Sequence, residues 1–149
     1  MFGVPMLYNK FYDQIATKIA ELPHKKRLKV QDAVDVKLRN LKHKGQYTHC
    51  IYDFFIFDKM KEALGGCVEL CLSGSAPLSP HIGDFLKVAF CCPLVEGFGT
   101  TETCDGQFLQ VSDQRVCGDV GFPLRHVECK LVNVPELKYL VTDKNEYGQ

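Results

Sequence analysis

The sequence predicts an α/β fold: a parallel βαβ unit, preceded by helices and trailed by β-strands. Three observations predict it. Residues 67–72 are apolar at nearly every position, as a strand buried on both faces should be. A small-residue break at 73–77 leads into an amphipathic stretch at 80–90, with Ile82, Phe85, Leu86 and Ala89 on one face. A second short apolar run, Pro93, Leu94 and Val95, then follows at the distance a crossover helix requires.

The elements read in order as follows. Residues 7–20 carry a helical stripe of Leu7, Tyr8, Phe11, Tyr12, Ile15, Ala16, Ile19 and Ala20, and Pro23 ends it. Residues 24–44 form a more charged helix with a narrower apolar line at Val30, Val34, Leu38 and Leu41. Its basic start, from His24 through Lys25, Lys26, Arg27 and Leu28 to Lys29, reads as a solvated helix end or as a localisation or phosphate-binding patch. Residues 51–64 are aromatic-rich and then helical, closed by Gly65 and Gly66 as a C-cap. Ser79 and Pro80 read as an N-cap followed by proline at the first helical position. Beyond the second apolar run, residues 96–103 form a loop. Residues 126–132 alternate, with Val127, Cys129 and Leu131 on one face and Glu128 and Lys130 on the other, which predicts a half-exposed strand. The chain stops at Tyr147, Gly148 and Gln149 in a predicted turn, and it shows no internal repeat or low-complexity linker.

Composition narrows the function classes. At 149 residues, 46% hydrophobic and 24% charged, the chain matches one globular domain and excludes a wholly disordered or fibrous protein. Eighteen Lys and Arg against eighteen Asp and Glu give no net charge, which argues against a dedicated nucleic-acid binder. The balance is uneven: residues 1–50 hold ten basic and four acidic side chains, and residues 51–149 hold eight and fourteen. The basic half can face phosphates, anionic lipid headgroups or the acidic half itself. No apolar run approaches the length of a membrane span, and the first five residues show no charged n-region of a signal peptide. The eight cysteines include no CxxC pair, and several, such as Cys71, Cys91 and Cys92, stand in apolar runs, so they read as buried reduced thiols rather than a zinc site or a disulfide framework.

In an open α/β sheet, ligands bind beyond the carboxyl ends of the strands, and two segments leave such ends. At 73–77 the small residues Gly74, Ser75, Ala76 and Pro77 let a flat ligand approach the backbone, whose N–H and C=O groups can read its edge. At 96–103, Gly97 and Gly99 permit close approach, Phe98 offers a flat face, and Thr100 and Thr101 offer hydroxyls to a phosphate or carboxylate. Glu102 offers a hard oxygen ligand for Mg²⁺. Taken from the residues alone, this is either a nucleotide and metal constellation or a glycine-rich turn. Other signatures are missing: no phosphate-binding P-loop, no third glycine of a dinucleotide fingerprint, and no nucleophile elbow, because Pro77 stands where its second glycine belongs.

The order of these two segments is specific. The run from Gly65 through Leu70, then Ser73 through Pro80, then Leu94-Val95-Glu96-Gly97-Phe98-Gly99-Thr100-Thr101-Glu102-Thr103, resembles the AMP-binding, adenylate-forming enzymes. Within them the chain is most similar to long-chain acyl-CoA synthetases, a likeness that Gly3 through Lys10 and Cys117 through Leu124 share. The resemblance covers nearly the whole chain and implies part of the large N-terminal domain of such an enzyme. In that reading residues 7–64 are its helical part, residues 67–103 its nucleotide-loop part and residues 104–149 its β part.

The resemblance implies a two-step reaction in which a long-chain fatty acid attacks the α-phosphate of ATP, and coenzyme A then displaces AMP. Gly74, Ser75, Ala76 and Pro77 would line the adenine, and Phe98 would stack on it where many members have Tyr. Glu96, Gly97, Gly99 and Thr100 would complete the nucleotide loop. Thr101 would hydrogen-bond the α-phosphate, and Glu102 would hold Mg²⁺; these two are the residues assigned to catalysis. The phosphate-gripping loop, the ribose-binding Asp and the C-terminal domain with its Lys are not among these 149 residues, so the chain alone is expected to be inactive. Met6 and Cys67 stand where the branch usually has Arg, and Asp119 where it often has His. The resemblance further implies a cytoplasmic protein or a cytosol-facing one at the endoplasmic reticulum, mitochondrial outer membrane or peroxisome, with peripheral membrane contact. Two other readings compete: a catalytically dead nucleotide-binding remnant, and a basic helical interaction module over residues 7–44.

Overall fold

The computed structural model describes residues 1–62, 64–112 and 118–142. A five-stranded mixed sheet runs in chain order: β1 (Phe2–Gly3), β2 (Cys71–Ser73), β3 (Leu94–Thr100), β4 (Asp105–Leu109) and β5 (Phe122–Pro123). β1, β2 and β3 are parallel, with Phe2 opposite Leu72 and Leu72 opposite Val95. β3, β4 and β5 continue the sheet as an antiparallel meander. Helix α5 (Pro80–Phe90) joins β2 to β3 and completes the expected βαβ unit.

Helices α1 (Pro5–Ala20) and α2 (His24–Lys44) match the sequence reading closely. Gly45 ends α2 in the left-handed conformation, where the absence of a Cβ removes the steric cost. Both helices pack onto α5. Their buried side chains Tyr8, Ile15, Val30, Ala33 and Val34 share one core with Phe85, Leu86 and Phe90. The Tyr8 hydroxyl donates to the Leu72 carbonyl at 2.9 Å, which satisfies the one polar atom of a fully buried ring and ties α1 to β2. Burial raises the phenol's pKa, as does the nearby Cys71. Residues 7–44 are therefore a layer of this core rather than a separate module.

Several expectations need correction. The first predicted strand, over residues 67–72, is displaced to Cys71–Ser73, and Cys67, Glu69 and Leu70 are exposed. β1 offers only two residues, which pair with Leu72 and Ser73, so the upstream run has no partner strand. The second strand does not stop at Val95 but continues to Thr100, because Gly97, Phe98, Gly99 and Thr100 find partners on β4. No strand forms over residues 126–132; these are mostly exposed and no ladder reaches them, so the alternation has no sheet to face. Residues 50–62 are broken into a short helix α3 (Cys50–Tyr52), one wider π-type turn (Asp53–Phe57) and α4 (Asp58–Glu62). Gly65 and Gly66 close this segment as expected, both at positive φ, with their N–H groups on the Glu62 and Lys61 carbonyls. Pro80 opens α5 as predicted, but the Ser79 side chain makes no capping bond. Of the seven described cysteines, all free, only Cys71 and Cys92 are buried and four are exposed. Cys117 and the predicted terminal turn lie outside the described residues.

Candidate functional site

At the carboxyl ends of β1 and β2, against the middle of β3, the surface folds into a cleft of about 730 Å³. Gly74 and Ser75 form one wall, and Gly97, Phe98, Gly99, Thr100 and Thr101 form the other. Phe108 on β4 adds a second aromatic ring, 6.1 Å from that of Phe98 and tilted by 60°. Phe98 is 44% exposed and lines the cleft, so part of its side chain is accessible to a ligand there. The two segments that the sequence singled out thus meet in space.

The glycines have specific reasons. A Cβ on Gly97 would come within 3.3 Å of the Leu109 side chain and 3.4 Å of the Phe108 carbonyl, tighter than an ordinary packing contact. A Cβ on Gly74 would meet the Gly97 carbonyl at 3.6 Å, so the two walls lie backbone to backbone. Ser75 holds φ at 75°, a left-handed conformation that costs an L-residue about 1–2 kcal/mol. The surrounding structure imposes that strain at the cleft.

The hydroxyls are sorted by local geometry. β3 ends at a short 3₁₀ turn, Thr101–Thr103, capped by Thr100 and Thr103 on each other. Their Oγ atoms lie 3.0 Å apart, and Thr103 also reaches the Thr100 carbonyl at 3.1 Å. Both threonines line the cleft, but the Thr100 hydroxyl is thereby committed to the turn, whereas that of Thr101 is not. Glu102 follows it, exposed, on the same turn.

Glu96 sits behind the cleft. Its carboxylate is buried and accepts the Leu78 N–H at 3.0 Å, with a further backbone bond from Gly118. Burial raises its pKa and these hydrogen bonds only partly oppose that. Glu96 therefore fixes the turn that carries Gly74 and Ser75 instead of facing a ligand. Ala76 and Pro77 are exposed and outside the cleft lining.

Sequence reasoning missed the support of this wall. Gln110 is buried; its Oε1 accepts the Glu96 N–H at 2.8 Å, and its Nε2 donates to the Asp119 carbonyl at 2.8 Å. Asp119 Oδ1 in turn accepts the Gly121 N–H at 2.9 Å. Gly121 has φ of 77°, and a Cβ there would overlap the Leu109 carbonyl. The Asp-x-Gly spacing at 119–121 is the one signal that could have marked this turn. A lone glutamine such as Gln110 carries none.

Fold and cleft together define an open α/β domain with a ligand-sized cleft at the carboxyl ends of its parallel strands. The chain belongs to the AMP-binding enzyme family, whose model matches residues 1–149. It is 46% identical over 94 residues to fatty acyl-CoA synthetase A of Dictyostelium discoideum, covering 63% of this chain and 14% of that protein. It is 35% identical to long chain acyl-CoA synthetase 3 of Arabidopsis thaliana, covering 99% of this chain and 23% of the relative. The peroxisomal long chain acyl-CoA synthetase 7 of the same plant is 36% identical over 95% of this chain and 20% of its own length. The chain thus spans about a fifth of the curated relatives it matches. No solved structure matches it. Among the described residues, no helix is long and apolar enough to cross a membrane.

Proposed function

We propose that these residues form part of an ATP-dependent long-chain fatty acid–CoA ligase. The observation that carries the reading is the meeting of Gly74 and Ser75 with Phe98 and Thr101 around one cleft, in a chain of the AMP-binding family. The names of the relatives support the substrate class.

Adenine would enter between the Gly74–Ser75 backbone and the Phe98 ring. Stacking there holds substrate and transition state alike, so it sets affinity more than rate. Thr101 would donate its hydroxyl to an α-phosphate oxygen, where charge grows as the fatty-acid carboxylate attacks phosphorus and pyrophosphate leaves. Coenzyme A would then attack the acyl carbon through its thiol, with AMP leaving.

The residues present fit Mg²⁺ in one way. Among the described residues no three His, Cys, Asp or Glu converge, so no all-protein cage exists. Glu102, exposed next to Thr101, fits as the single carboxylate that such a phosphate-borne ion needs. When bound, Mg²⁺ supplies positive charge to the phosphate oxygens.

The relatives are more than four times as long, so the activity is assigned to the intact protein, and the 149 residues by themselves should yield no acyl-CoA. Peripheral contact with a cytosol-facing membrane, at the endoplasmic reticulum, mitochondrial outer membrane or peroxisome, belongs to the same proposal. The test is palmitate-dependent exchange of pyrophosphate into ATP. The intact protein should catalyse it and the 149-residue chain should not. A folded intact protein without exchange would favour a catalytically dead remnant instead.

A further inference from the structure

Apart from the cleft, and sharing no lining residue with it, α1, α2, the π-type turn and α4 enclose an apolar groove of about 720 Å³. Ile19, Leu22, Val30 and Met60 form its floor. Lys18, Lys26, Lys29 and Lys59 stand around it, all exposed. No acidic side chain lines it, and none of the four lysines has an ion-pair partner among the described residues. At one edge Phe55 is 71% exposed and holds Phe54, 72% exposed, edge-on against it at 5.1 Å.

We propose that this face is a docking surface for a bilayer containing anionic phospholipid. Four unpaired cations around an apolar floor complement phosphate-bearing headgroups above acyl chains. Lysine suits the position, because its stem lies along apolar surface while the ammonium reaches the headgroups. The two phenylalanines select a surface over a single small molecule. A ligand enclosed in the groove would leave Phe54 in water, whereas a bilayer covers the groove and both rings. Three of the ten basic side chains of residues 1–50, Lys18, Lys26 and Lys29, line this groove, and Lys59 adds a fourth. This proposal rests on the peripheral membrane contact proposed above and names the surface that makes it; it concerns neither the cleft nor its chemistry, so vesicle binding and pyrophosphate exchange can fail separately.

The experiment is co-sedimentation of the 149-residue chain with phosphatidylcholine vesicles, with and without phosphatidylserine. Binding should require phosphatidylserine and weaken as salt rises. Replacing Lys18, Lys26, Lys29 and Lys59 together by Gln should reduce partitioning at least about tenfold. Phe54→Ser with Phe55→Ser, both already exposed, should reduce it comparably, and either set carries the test if the other fails to fold. Two off-groove controls should bind like the parent: Lys10, Lys42, Lys44 and Lys130 together to Gln, and Leu131→Ser with Val132→Ser. Equal binding to neutral vesicles, or equal loss in either control, would overturn the proposal. So would saturable uptake of monomeric oleate, without vesicles, that the groove lysine variant loses while keeping its vesicle binding.

Discussion

Lys37 donates to Asp53 Oδ1 at 2.6 Å, joining the middle of α2 to the π-type turn, with the lysine side chain wholly buried. The same ammonium donates to the Val88 carbonyl at 2.6 Å and the Cys91 sulfur at 3.0 Å, and lies 3.9 Å from the centre of the Phe57 ring. Every proton of the buried cation therefore has an acceptor, which is the condition for tolerating a charge there. The cluster ties α2 to the end of α5, directly before the strand that carries the candidate site.

Removing one partner of such a buried pair is worse than replacing the group by an apolar one. Lys37→Ala should destabilise the chain by about 3–5 kcal/mol, because Asp53 and the Val88 carbonyl lose their donor and a cavity opens. Lys37→Met fills the same space and should lose clearly less. Chemical denaturation of the two variants checks this, and equal losses would show that packing alone matters.

Asp53 sets a pH dependence. Burial pushes its pKa up, but the Lys37 and His49 N–H hydrogen bonds and the Lys37 charge outweigh that and hold it below the ordinary carboxylate range. A carboxyl lowered on folding contributes stability that is present above its unfolded pKa, about 4, and lost as the pH falls through the folded value. Unfolding free energy should therefore drop below about pH 4 more steeply in the parent than in Asp53→Asn. Denaturation series from neutral to acid pH in both proteins measure the difference.

Glu96 behaves in the opposite sense. Its pKa is raised, chiefly by burial, so its contribution is fully present below the unfolded value and declines as the pH rises through the folded one. Glu96→Gln keeps an acceptor for the Leu78 N–H and removes the ionisation, so it should flatten this dependence with little loss at neutral pH. Glu96→Ala leaves that buried donor unpaired and should cost about 1–3 kcal/mol. Thermal midpoints of both variants at acid and neutral pH separate a supporting role from a ligand-facing one.

Thiol reactivity should follow burial rather than the apolar context read from sequence. Cys50, Cys67, Cys104 and Cys129 should react with an aromatic disulfide reagent in the native chain, while Cys71 and Cys92 wait for denaturant. Cys71 and Cys92 lie 3.8 Å apart, sulfur to sulfur, as a buried free pair. Rapid native labelling of Cys92 would show that the end of α5 opens readily.

What was legible in the sequence follows from periodicity and punctuation. α1, α2 and α5 announced themselves through apolar spacing with Pro23 and Pro80, and the glycines at 65 and 66 marked the end of the helical segment at residues 50–62. The two cleft walls were legible because their small and aromatic residues stand directly after strands. Pairing was not legible. Nothing local says that the run at 67–72 meets a strand only two residues long, or that 126–132 meets none. Lys37 escaped because a lysine on a charged helix reads as solvated, and its three acceptors come from residues 53, 88 and 91. Thr100 and Thr101 look alike in sequence, and only the turn geometry commits one and frees the other.

Glu102 carries the sharpest prediction, made for the intact protein. A carboxylate on Mg²⁺ acts while the α-phosphate is attacked, so Glu102→Ala should slow acyl-adenylate formation about 10²-fold or more, roughly 3 kcal/mol of barrier. Thioesterification of preformed acyl-adenylate should fall less, since the pyrophosphate has already left. Phe98→Ala should chiefly raise the ATP concentration required, because stacking on its partly exposed ring serves ground and transition states alike. The competing role for Glu102 is structural, as an acidic residue in the first turn of the Thr101–Thr103 segment. That role would lower the thermal midpoint and leave the adenylation rate per folded molecule unchanged. Since the glutamate is exposed and the turn is already capped by Thr100 and Thr103, its removal should barely move the midpoint. Pyrophosphate release measured beside thermal unfolding for each variant decides the matter, and a normal rate in a destabilised Glu102→Ala protein would remove it from the metal site.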